Sequence, residues 1–236
     1  MTSLIAAAVL FIAIHLLVSG TRLRDTLVSA LGEKVYMALF SIASLALIVW
    51  LVMSYNDAVT SAENVIYWQA PAGLMHSGGI LILIAAFFAV AGITTPGPTS
   101  AGGDAALAQS DDPAHLVKGI HALTRHPFLW GAVIWSAFHM GVNGDRASQI
   151  FFGTFLLVSF LGTFSIDAKR KRVLGDKWTA YAGASSNVPF LALVRGRARL
   201  SLSELGWWRI AAALVVWGAL FASHEWLFGV SPVPGA

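Results

Sequence analysis

Apolar residues in this chain gather into long runs, and short connections between them hold most of the charge. Six runs approach the roughly 20 residues that carry a helix across a bilayer core: about 4–18, 35–53, 72–93, 127–142, 148–166 and 207–228. The pattern predicts an all-α fold, a polytopic membrane helix bundle of about six transmembrane helices in one domain spanning residues 1–236. The first and fourth runs are short, so they draw on flanking residues or on neighbouring helices. The connection TTPGPTSAGGDAALAQSDDP has Gly/Pro breakers and no aromatic residue, which predicts a mobile cytoplasmic loop at about 94–114. Residues 114–123 read as a short helix after it, and 169–181 as a basic helical extension at the membrane interface.

Basic residues fix the orientation. With six spans, one side receives Arg22, Arg24 and Lys34, then Lys118 and Arg125, then the basic residues from Lys169 to Arg209; only Arg146 falls opposite. Cytoplasmic loops are the Lys/Arg-rich ones, so both termini face outward. The start, MTSLIAAAVLFIAIHLLVSG, has no positive residue before its apolar core and no small-residue cleavage site. It reads as a retained first span and not as a removed signal peptide.

Composition agrees. Apolar residues make up 57% and charged ones 11%, with a mean hydropathy of +0.72; soluble domains are about one quarter charged. The net charge of +3 and pI near 9.4 are explained by loop topology and anionic headgroups, so the expected partner is the lipid bilayer and not nucleic acid. The absence of cysteine excludes disulfides, thiolate metal sites and iron–sulfur clusters.

Candidate chemistry lies with the histidines, because an ionisable side chain inside a span is costly. The stretch TRHPFLWGAVIWSAFHMGVNGD carries His126 and His139. Pro127 suits the first helical position, so His126 sits at the helix N-terminus. Thirteen residues of helix separate the two histidines by about 20 Å and turn them to largely opposed faces. They cannot clamp one metal, since each metal–imidazole bond is about 2 Å. Depth instead sorts the histidines into an inner layer (His15 and His126, with His121 nearby) and an outer layer (His76, His139 and His224). Paired imidazoles from different helices hold haem or a metal, and no HExxH motif or carboxylate cluster within the spans points to a hydrolytic metal. An inner bis-histidine site is therefore permitted. The alternative for each ring is a hydrogen bond to a carbonyl or hydroxyl on another helix. Arg125, Arg22 and Arg24 at the cytoplasmic edge suit haem propionates, lipid phosphates or simple anchoring. Asp145 suits the Asn143–Gly144 turn or a histidine partner. Most tryptophans suit the membrane interfaces, and Lys169–Arg172 a headgroup-binding edge.

Three segments, HLLVSGTRLRDTLVSALGEKVYMALFSIASLALIVW, TRHPFLWGAVIWSAFHMGVNGDRAS and FGTFLLVSFLGTFSIDAKR, resemble the NnrU family, which includes the 15-cis-zeta-carotene isomerases. The resemblance runs from the first span to about residue 181. It implies a multi-span protein of the bacterial inner (cytoplasmic) membrane, with haem b held by histidines as in the isomerase branch. His15 and His126 match the family's histidines in the first span and the RHP motif; His139 matches the second motif histidine and stands in reserve. The isomerase branch implies cis–trans isomerisation of a lipophilic polyene. The bacterial branch, to which the continuation HMGVNGD is closer, implies a link to denitrification and nitrogen-oxide metabolism, with a lipophilic substrate or a redox partner.

A second resemblance is to isoprenylcysteine and phospholipid methyltransferases, which bind S-adenosylmethionine at the cytoplasmic face. It rests on RHPFLWG followed by IDAKRKRVLGDKWTAYAGASSNVPF, where Leu174, Gly175, Trp178, Tyr181 and Pro189 fit the spacing. The usual acidic pair is reduced to Ile166–Asp167. A non-catalytic membrane assembly factor with structural histidines is the third reading.

Overall fold

Each of the six apolar runs is helical in the computed structural model, which describes residues 1–100 and 103–233. Among the described residues there is no strand, only an isolated antiparallel bridge between Ile66 and Asp145. The chain divides into two compact units, Met1–Leu74 with Ser136–Ser165, and Met75–Trp135 with Ile166–Ala236.

In the first unit, α1 (Thr2–Ala13) continues into a π-turn (Ile14–Val18) that contains His15. Thr21 then caps α2 (Arg22–Leu31), its hydroxyl accepting from Leu23 N, and the chain bends by 81° between Thr2–Val18 and Arg22–Leu31. The long helix α3 (Glu33–Val59) comes next. Leu4, Ala7, Ala8 and Phe11 recur at helical spacing and are buried on one face of α1, which packs on α3. Ser3 and Ser54 hydroxyls join the two helices at 2.7 Å. Val35, Leu39, Ile42, Leu45, Val49 and Met53 of α3 stay exposed, as a lipid-facing surface requires.

The NGD sequence resolves as a turn. Asp145 Oδ1 accepts from Ser148 N and from Asn64 Nδ2, both at 3.0 Å, so it caps α9 (Arg146–Ala184). Gly144 passes so close to Trp68 that an added Cβ would lie 2.0 Å from the Trp68 carbonyl oxygen; only glycine fits there. Arg146, the lone basic residue in its connection, donates to the Tyr67 hydroxyl at 3.0 Å.

In the second unit, α5 (Gly78–Thr94) packs along α12 (Trp207–Phe228). Arg209 ties their ends together, donating to the hydroxyl and carbonyl oxygens of Thr94 at 3.1 and 3.2 Å. Phe88, Ala91, Ile120 and Leu123 form a buried core. The fourth run is α8 (Pro127–Val142), with the bounds expected from Pro127 and Asn143.

Among the described residues, three helices are long and apolar enough to cross a membrane, α3, α9 and α12, or four with the bent α1–α2 pair counted as one; α5 and α8 are shorter apolar helices. The chain is a membrane protein by this composition. Two expectations need correction. The third run is not one helix, since α4 (Ala72–His76) stops before α5 at Ser77. Residues 114–123 are also divided, into a 3-10 turn (Pro113–Leu116) and α7 (Ile120–Leu123), because Gly119 at φ 56° adopts a conformation closed to most residues. The predicted basic extension is present as the end of α9, kinked at Gly175. The loop expected at 94–114 contains α6 (Asp104–Gln109), with Leu107 buried against Trp178 and Tyr181; residues 101–102 of that loop lie outside the described part.

Candidate functional site

The RHP motif lies in an extended segment between α7 and α8. Thr124 is in the β conformation. Arg125 N donates to Ser186 O at 2.9 Å, Phe190 N to Leu123 O at 2.8 Å, and the Thr124 hydroxyl to Asn187 O at 2.5 Å. The Thr124 hydroxyl also accepts from His126 N at 3.2 Å. Backbone and side chain together hold residues 123–126 against residues 186–190.

This frame points Arg125 and His126 at one carboxylate. Asp167 lies on α9, one residue past the apolar run that ends at Ile166. It accepts from Arg125 Nε at 2.9 and 3.1 Å and from Arg125 Nη2 at 2.5 Å. It also accepts from His126 Nε2 at 2.7 Å and from Asn187 Nδ2 at 3.3 Å. A forked guanidinium–carboxylate pair is strong and directional. Arg125 also lies over the Trp178 ring, 5.7 Å from its centroid, which adds a cation–π contact. The His126 side chain is 1% exposed and that of Asp167 18%.

The electrostatics derive from this arrangement. Burial lowers the His126 pKa below its usual value, against the opposing pull of Asp167. Burial would raise that of Asp167, but the hydrogen bonds from His126 and Arg125 outweigh it and hold the carboxyl below its ordinary value. The pair is therefore a neutral imidazole donating Nε2–H to a carboxylate, and Nδ1 carries the ring's lone pair. A cavity of about 200 Å³ adjoins the ring, lined by Thr99, Ser100, Phe128, Leu129 and Ile166 with His126. One wall is hydroxyl-bearing and the other apolar. The Thr99 hydroxyl donates to the Arg125 carbonyl, which fixes that wall to the motif.

His15, in the other unit, is held through its opposite nitrogen. Nδ1 donates to Phe11 O at 2.8 Å, so in the neutral ring Nε2 is the acceptor; the Ser44 hydroxyl lies 3.3 Å from it. The ring packs on Phe11 and meets the edge of Phe40, at centroid distances of 4.2 and 5.2 Å. A metal-ligating imidazole has one N–H fixed by an acceptor and its other nitrogen facing the metal. His15 meets the first condition, and its Nε2 is engaged by the Ser44 hydroxyl, which a metal would displace. The N–H of each ring is fixed in this way, His15 through Phe11 O and His126 through Asp167.

The family model described as NnrU protein matches residues 3–232. The chain belongs to the NnrU family. No curated protein and no solved structure matches it.

The residues that carried the resemblance are distributed between two settings. Arg125, His126 and Asp167 form one cluster. His139 lies elsewhere, on the α8 segment of the first unit, where its ring stacks on Phe152 at 4.8 Å. Arg22 is exposed at the start of α2, whereas Arg24 pairs with Glu33 at 3.1 Å and lies over the Tyr36 ring. His121 is buried in α7 and donates Nε2–H to Thr95 O at 3.1 Å. His224 Nδ1 lies 2.8 Å from Val230 O. Among the described residues no group of three or more His, Asp or Glu side chains is disposed to hold a metal.

Asn187 is the member of the cluster that sequence reasoning missed. Its amide donates to Asp167, and its side-chain oxygen accepts from Trp130 Nε1 at 3.4 Å. The signal was the SSNVP stretch, whose Ser186 and Asn187 lie in the segment paired with the RHP motif.

Proposed function

We propose that this NnrU-family protein is a multi-pass protein of the bacterial cytoplasmic membrane, with six spans and both termini outside, that binds haem b through His15 and His126. The observation that carries this reading is the 2.7 Å hydrogen bond from His126 Nε2 to Asp167. It sets the tautomer, orients the ring and increases its basicity, as an outer carboxylate does for a ligating imidazole. The carbonyl of Phe11 plays the same part for His15. Arg125 acts one step further out, keeping Asp167 ionised and immobile. Arg22, exposed and without such a partner among the described residues, is the cation left for a propionate; His139 is the reserve ligand.

Bound through both histidines, haem would supply one-electron chemistry. The chain's own residues fix the imidazoles, keep their protons on the outer nitrogen, and offer an apolar wall of Phe128, Leu129 and Ile166 beside His126. Such a site serves nitrogen-oxide metabolism linked to denitrification, or cis–trans isomerisation of a lipophilic polyene, with a membrane redox partner. The test is the absorption spectrum of protein purified after expression with ample haem, oxidised and then dithionite-reduced. A b-type spectrum lost in both His15→Ala and His126→Ala supports the reading; a colourless wild type overturns it.

One observation favours a second reading, an S-adenosylmethionine-dependent membrane methyltransferase. The two parts of that resemblance, RHP and the stretch from Asp167 to Pro189, meet through Arg125, Trp178 and Asn187. Binding of S-adenosylmethionine by a colourless protein would select it. A protein that binds neither is left as an assembly factor.

A further inference from the structure

A second cavity in the Met75–Trp135 and Ile166–Ala236 unit, of about 280 Å³, is built from three stretches of chain distant in sequence. His115 and Lys118 come from the connection before α7. Arg197 and Arg199 come after α10 (Leu191–Val194), and Glu204 belongs to α11 (Leu202–Leu205). Glu204 is already engaged, since its Oε2 accepts from Gly119 N at 3.0 Å. Arg197 spends one guanidinium donor on Gly183 O at 2.8 Å and keeps its others. Lys118 and Arg199 have no ion pair or side-chain hydrogen bond among the described residues. Three cations therefore line a concavity that holds one carboxylate. That excess focuses a positive potential on the cavity and favours an anion within it.

The cavity's place along the chain narrows the choice of anion. Glu204 precedes α12 by three residues, and α12 opens with Trp207 and Trp208, which are 69% and 56% exposed. Exposed tryptophans at the end of an apolar helix mark the headgroup level of a bilayer. Clustered Lys and Arg at that level attract anionic lipid headgroups. We propose that this cavity binds the phosphate of an anionic phospholipid headgroup, with Lys118, Arg197 and Arg199 donating to its oxygens. It is a different place from the His126 cavity, and its occupancy does not depend on whether haem binds.

The experiment measures the unfolding midpoint of the full-length protein in neutral detergent, titrated with phosphatidylglycerol, phosphatidylcholine or inorganic phosphate. Phosphatidylglycerol is expected to raise the midpoint of the wild type, while the other two leave it in place. In the double variant Lys118→Gln/Arg199→Gln the apparent affinity for phosphatidylglycerol falls at least about tenfold, the loss of one or more charge-assisted hydrogen bonds. Lys34→Gln, an exposed cation of the other unit, retains wild-type affinity. Undiminished phosphatidylglycerol affinity in the double variant overturns the proposal. Equal protection by phosphatidylcholine overturns the requirement for negative charge, and equal protection by inorganic phosphate overturns the lipid source. The single variant Arg199→Gln, read against the same criteria, decides the matter if the double variant does not fold.

Discussion

His126 and Asp167, 41 residues apart in sequence, share a 2.7 Å hydrogen bond in which the ring gives its Nε2 proton to the carboxylate. Asp167 is at the same time the acceptor for the Arg125 fork, so one carboxylate sets the position of two adjacent motif residues. Removing it leaves a buried guanidinium without its counter-charge and an imidazole free to turn. Asp167→Asn is expected to lower stability by about 2–4 kcal/mol, within the range for breaking a mostly buried pair. The check is thermal unfolding in detergent. An unchanged midpoint would show that the cluster contributes nothing to the fold.

The Arg125 fork predicts a graded series. Arg125→Lys keeps the charge but loses the two-pronged contact and the stacking over Trp178, so it recovers only part of what Arg125→Ala loses. If Asp167 also holds the ring for ligation, both variants broaden or shift the haem spectrum in the same order. Equal behaviour of Lys and Ala would place the role of Arg125 in its shape and not in its charge.

Acid should destabilise the protein beginning near neutrality. Burial lowers the pKa of His121, opposed by its bond to Thr95 O and reinforced by the nearby His126; burial likewise lowers that of His126. A histidine whose folded pKa is depressed favours the folded state fully above its unfolded value, about 6.5, and that contribution is lost as pH falls through the folded value. Asp167, also depressed, acts in the same direction at lower pH. Unfolding midpoints measured from pH 8 downward should fall (about pH 6.5 being the onset). His121→Gln should have a shallower slope, and a flat wild-type profile would contradict this account.

The Gly144 turn makes a purely structural prediction. An added Cβ would be 2.0 Å from Trp68 O, a backbone atom that cannot swing aside. Gly144→Ala is therefore expected to cost about 1–3 kcal/mol or more, as overpacking does. The loss is read as a lower unfolding midpoint of Gly144→Ala in detergent; an unchanged midpoint would show that the turn shifts to make room.

The helices were legible in the sequence where a single rule governed them. Pro127 and Asn143 bracket α8, and the run from Trp207 to Phe228 is α12, because length, apolarity and breakers all act locally. The break at Ser77 was marked by His76-Ser77-Gly78-Gly79, a breaker signal that the length of the apolar run 72–93 masked. The Asp104–Gln109 helix was also hidden, because its anchors are remote: Asp104 pairs with Arg170 at 2.9 Å and Leu107 packs on Trp178. The site shows the same division. His126 and Arg125 stood out by motif, and Asp167 was visible as the remnant of an acidic pair. That the carboxylate serves both of them, with Asn187 behind it, depends on chain segments meeting in space.

The π-turn at Ile14–Val18 has a consequence for how this protein tolerates change in length. A π-turn holds one residue more than the α-helical turn it replaces, and absorbs it locally. Deleting Leu16 would let that turn close to ordinary helix, with Leu4, Ala7, Ala8 and Phe11 still facing α3. Deleting Leu10 instead would swing residues 2–9 by about 100° relative to Phe11 and pull the buried face apart. A lost residue is thus best accommodated inside the turn that carries His15. There the helix keeps its packing, and the aim of the imidazole is what changes.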